Sequence, residues 1–152
     1  MATISAAITA LATFGGTVPG IHASYDLTTL PEKITRDKLA CAVVVPEVTG
    51  GQNAYRFQTV SFMGSAPQVT FTVSQLVLFD TVDNKRVKAV LPGLITLLDN
   101  YLAALKALPF LSSTSAPAIH RAVTCTPTIG TFAYGDIEYH GIEFTHSLMI
   151  NL

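Results

Sequence analysis

The chain is 152 residues long, 49% hydrophobic and only 12% charged, with nine basic against ten acidic residues for a net charge of −1. That length suits one domain, 1–152, able to bury a core without disulfides or a structural metal. A charge content about half the usual ~25% argues for a surface covered by partners in an assembly, and with no basic run longer than Lys85-Arg86 it argues against sequence-specific nucleic-acid binding.

In chain order, Thr3 is placed to cap a first helix in which Ile4, Ala7, Ile8, Leu11 and Phe14 recur at three- and four-residue steps. Gly15-Gly16 is expected to stop it in the left-handed conformation. The opening Met1-Ala-Thr-Ile-Ser lacks the basic and apolar regions of a secretory leader, so use in a cytosol is expected. Val18-Pro19-Gly20 turns the chain into a short strand, Ile21 to Tyr25, and the polar loop Asp26 to Lys38 follows. The unbroken apolar run Leu39 to Val45 predicts a central strand covered on both faces.

Gly50-Gly51-Gln52-Asn53 reads as a flexible loop projecting from the body. Val48, Gly50, Gly51, Gln52, Asn53, Tyr55 and Arg56 are the candidate interface residues, because this low-charge arm is suited to ordering on a neighbour. Tyr55 to Phe62 and Gln68 to Phe79 are β-rich runs joined as a hairpin by Met63 to Pro67, with Val69, Phe71, Val73, Val77 and Phe79 on one face.

A second, long helix is expected from the 3.6-residue period of Val87, Val90, Leu91, Leu94, Leu97, Leu98, Tyr101, Leu102, Leu105 and Leu108, ending before Pro109. Lys88, Asp99, Asn100 and Lys106 argue against a membrane span here. Pro92 means either that the helix starts near it or that it kinks there. Past the Ser/Thr/Pro-rich linker Leu111 to Pro117, Ile119 to Cys125 alternates as a half-buried strand. In the last strand the apolar phase flips between Tyr139 and Ile142, which a β-bulge at His140-Gly141 would repair. The fold class is therefore α+β, two helices packed on a mostly antiparallel β-sheet.

Motifs for chemistry are missing from the sequence. His22, His120, His140 and His146 have no metal-ligand spacing, and His146 reads as a neutral, hydrogen-bonded core residue. Cys41 and Cys125 lie in apolar strands and are expected to be free. Asp136, Glu138 and Glu143 fit a charged outer face better than a paired-carboxylate site. No nucleophile elbow, phosphate loop or dinucleotide turn occurs, so no enzyme, cofactor or metal is expected.

Three stretches carry a family resemblance: Gly15 through Val18-Pro-Gly-Ile21, Tyr25-Asp26-Leu27 and Leu30-Pro31 into the Leu39 to Pro46 strand; the helix around Leu91 to Leu105; and the ending Tyr134-Gly-Asp-Ile-Glu-Tyr-His-Gly-Ile-Glu-Phe-Thr145. Together they resemble the tail terminator (tail completion or neck) proteins of long-tailed, siphophage-type bacteriophages. The resemblance implies a subunit that closes into a ring, usually a hexamer. Such a ring stacks on the last ring of tail tube protein, stops tube growth and presents a surface to the head connector, while DNA passes through without sequence-specific binding. The place implied is the virion tail or neck, assembled in the host cytoplasm. A head-side stopper or adaptor and, in a different class, a small ligand-binding module or a hydrolase using Asp136, Glu138 or His140 are the alternatives.

Overall fold

The computed structural model describes residues 3–46, 57–61, 68–84, 86–107 and 119–151. Helix α1 spans Ile4–Thr17 and is followed by strands β1 (Ala23–Tyr25), β2 (Cys41–Pro46), β3 (Phe57–Ser61) and β4 (Gln68–Thr81). Helix α2 (Val87–Ala107) then leads to β5 (Ile119–Tyr134) and β6 (Ile137–Asn151). The strands form one six-stranded sheet in the order β1-β2-β4-β6-β5, with β3 pairing β4 beside β2. Among the described strands only β1 and β2 run parallel, so the α+β class with two helices on a mostly antiparallel sheet holds.

Helix α1 starts as its cap dictates: the Ala6 N–H donates to the Thr3 hydroxyl oxygen at 3.1 Å. Its end does not follow the glycine signal. Gly15 and Gly16 are helical, Val18 caps the helix in an extended conformation, and the positive φ falls at Gly20 (94°). Gly15 serves packing instead: a Cβ there would collide with the Gln75 side-chain amide.

Helix α2 begins at Val87, five residues ahead of Pro92, which therefore sits inside the helix. The ring withholds the N–H that the Lys88 carbonyl would otherwise accept, and both residues are exposed on the solvent side. Val90, Leu94, Leu97 and Tyr101 form the buried face of α2.

Both helices lie on one face of the sheet. Their apolar faces meet Ala42 and Val44 of β2, Val69, Phe71, Val73 and Val77 of β4, and Ile142, Phe144, Leu148 and Ile150 of β6. The crossover from β1 to β2 runs over the opposite face. There Ile34 joins Cys41, Val43, Leu78 and Tyr139 in a second, smaller core. The β2 run is thus buried on both faces, Cys41 and Val43 on one side and Ala42 and Val44 on the other.

Two cores also correct the expected bulge in β6. Pairing of β6 with β5 is regular from Ser147 to Ile137, with no extra residue at His140-Gly141. The apolar phase flips because Tyr139 serves the second core and Ile142 the first. The irregularity lies across the ladder in β4, between Leu78 and Asp80, where the extra residue is Phe79. Strand β5 also departs from expectation. It runs on to Tyr134 rather than ending near Cys125, and register shifts between Ile119 and Arg121 and between Ala122 and Thr124 break the simple alternation predicted for its start.

Candidate functional site

The predicted interface residues Val48, Gly50, Gly51, Gln52, Asn53, Tyr55 and Arg56 lie outside the described residues. The described strands do locate the two ends of their segment. Pro46 pairs Val73 and Phe57 pairs Phe71, so residues 47–56 connect two points separated by a single position, Thr72, on β4. Strands β2 and β3 run in the same direction along β4, as one strand interrupted between them.

The most organised chemistry is inside. Gln75, Tyr101 and His146 come from β4, α2 and β6 and meet in the main core, all fully buried. The Gln75 Nε2–H donates to the Leu11 carbonyl oxygen at 3.1 Å, which orients the amide because a carbonyl only accepts. Gln75 Oε1 then accepts from the Tyr101 hydroxyl at 2.7 Å. That hydroxyl has one proton, so its oxygen accepts from His146 Nε2–H at 2.6 Å. The tautomer follows: His146 Nδ1 bears a lone pair, and it has no hydrogen-bond partner among the described residues.

Packing holds the central ring in place. Tyr101 stacks on Phe144 with centroids 3.6 Å apart and meets Phe14 edge-on at 5.1 Å. Burial raises the Tyr101 pKa well above its ordinary value and lowers that of His146 to about 4. At neutral pH both groups are uncharged. The expectation of a neutral, hydrogen-bonded core histidine holds; its partner Tyr101, and Gln75 beyond it, are not legible in the sequence. Gln75 occupies the inward phase of β4 between Val73 and Val77, and that polar break in an apolar face was the available signal.

Chemically, this arrangement orders the core and meets no solvent at the described residues. Cys125 is half-buried beside it, and burial raises its thiol to about 11, as it does that of Cys41. His140 is buried on the helix-facing side of β6, apart from His146. Asp136 sits in the β5–β6 turn, and Glu138 and Glu143 lie on opposite faces of β6 by strand alternation, so these three carboxylates do not converge. Among the described residues, no cluster of three metal-ligating side chains occurs.

Two outer surfaces stand out. On α2, Val87, Leu91, Ile95 and Leu102 are 51%, 40%, 43% and 39% exposed and form an apolar stripe beside the buried face. The helix is long and apolar enough to span a bilayer, but its other face is committed to the sheet. At the far edge of the sheet, β5 carries no charged residue from Ala122 to Gly135, and Thr124, Thr126 and Thr128 are exposed. No family model and no curated protein matches the chain.

Proposed function

We propose that the chain is a virion structural protein that caps a phage tail tube as a homo-oligomeric ring, usually six-membered, stops tube polymerisation and offers a surface for head–tail joining. The observation that carries this reading is the exposed apolar stripe Val87, Leu91, Ile95 and Leu102 on a protein only 12% charged. A subunit with that surface gains from burying it against neighbours. The sequence resemblance supplies the kind of assembly, and the partners are then the tail tube protein, the head connector and DNA passing through the ring.

In the same reading the Gln75–Tyr101–His146 network is structural, and the protein turns over no substrate. Native mass measurement with negative-stain imaging tests the ring, and electron microscopy of lysates lacking the gene tests the role. Tails of abnormal length, or heads without tails, are expected. Normal tails joined to filled heads would end the terminator reading.

A further inference from the structure

Strand β5 is the last strand of the sheet, paired with β6 on one side and with no described strand on the other. Bare edges are usually protected by charge, proline or irregular pairing, because their open backbone groups accept further strands. In β5 such protection is confined to the part up to Pro127. Register shifts fall between Ile119 and Arg121 and between Ala122 and Thr124, and Pro127 follows. Beyond it, Thr128 to Ala133 is regular, uncharged and rich in strand-forming residues.

The turn determines which backbone groups face outward. Tyr134 and Ile137 flank the two-residue turn Gly135-Asp136, whose φ angles are 57° and 65°, a type I′ geometry. The flanking pair of such a turn exchanges both backbone hydrogen bonds, so Ala133, Thr131, Ile129 and Pro127 turn N–H and C=O away from β6. Pro127 agrees independently. A proline has no N–H to give, and within a regular strand it belongs where that position points off the sheet edge.

We infer that β5 is a self-pairing edge: a second copy of this chain adds its own β5 antiparallel across a two-fold axis through Thr131. In that register Thr131 meets Thr131 of the second copy and Ile129 meets Ala133, all outward-facing positions that exchange hydrogen bonds in pairs. Pro127 falls opposite the turn residue Gly135, where its missing donor costs nothing. Phe132 lies opposite Gly130 of the second copy. Its ring already leans over Gly130 of its own strand, where an added Cβ would meet Phe132 Cζ at 3.7 Å. An aromatic ring covering a cross-strand glycine is a favourable sheet pairing. With no charge from Ala122 to Gly135, self-pairing brings no like charges together.

The inference stands on β5 alone and is independent of the ring reading, which needs a head-to-tail interface. The test uses the full chain. Native mass spectrometry and light scattering should show pairs, and Thr131→Pro, which removes two inter-chain hydrogen bonds, should weaken pairing by roughly 10–100-fold. Because proline is already accommodated at the outward position 127, circular dichroism and Tm of this variant should stay near the parent's. In a Cys125→Ser background, Thr131→Cys should form an inter-chain disulfide under oxidation, since the paired Cα atoms lie about 5.5 Å apart. Only a two-fold axis at this residue brings position 131 onto itself. A monomer, or an oligomer that survives Thr131→Pro and gives no 131–131 disulfide, would overturn the inference, whereas a ring held by another surface would leave the proposed function standing.

Discussion

Gly141 and His146 lie five residues apart on β6 and depend on the core in different ways. At Gly141 the bulged β4 backbone passes so close that a Cβ would strike the Val77 carbonyl oxygen. Gly141→Ala should therefore cost roughly 2–4 kcal/mol in a denaturant titration, because backbone rather than a side chain must move. A near-neutral result would mean that β4 yields there. For His146 the cost is electrostatic. Its folded pKa of about 4 lies below the ordinary 6.5, so between those values the unfolded chain binds a proton that the folded one refuses. The stabilisation is complete above pH 6.5, falls as pH drops, and levels off below about 4, with an upper size of about 3 kcal/mol. The groups facing this ring are uncharged at neutral pH: Tyr101 from α2, Gln75 and Val73 from β4, and Cys125 from β5. His146→Leu should lower stability at pH 7 by leaving Tyr101 without its donor, and should flatten the loss of Tm between pH 6.5 and 4. An unchanged slope would place the acid sensitivity elsewhere.

Among the elements, α2 holds the clearest conflict between local preference and fold. Its run of leucines favours helix, whereas Pro92 costs about 3 kcal/mol in a helix interior relative to alanine. Tertiary packing overrides the proline, because Val90 ahead of it and Leu94, Leu97 and Tyr101 beyond it must share one buried face. Pro92→Ala restores the N–H for the Lys88 carbonyl and should raise stability by about 1–3 kcal/mol, less what the more flexible unfolded chain recovers. A fall in Tm would show that the proline shapes the helix to fit the sheet. Strand β6 teaches a related lesson. Its alternation is legible in the sequence, but the flip between Tyr139 and Ile142 implies a bulge only if all apolar residues serve one core. Two cores on opposite faces produce the same pattern with no added residue.

On the scale of the whole molecule, folding and the proposed assembly make separable demands on residues 47–56. Its ends leave and re-enter the sheet beside one another, at Pro46↔Val73 and Phe57↔Phe71, so the sheet does not need its length. Deleting Val48 to Asn53 should leave the Tm within a few degrees of the parent's, because shortening a loop changes closure entropy only slightly. The same deletion should weaken ring formation or docking on tail tubes, read by native mass and by complementation of tail assembly. Full assembly by the shortened chain would exclude these residues as the interface.

Sequence alone determined what depends on local periodicity and composition. The Thr3 cap, both helices, the doubly buried β2 run, the β3–β4 hairpin and the neutrality of His146 all follow from where apolar residues recur and where a polar one interrupts them. Tertiary structure decided what depends on residues far apart in the chain. Gly15 remains helical because Gln75, sixty positions later, needs the space. Gln75, Tyr101 and His146 become one hydrogen-bonded chain only when β4, α2 and β6 meet. The extra residue lies in β4 rather than β6 because strand register belongs to a pair of strands, and no single strand's pattern contains it.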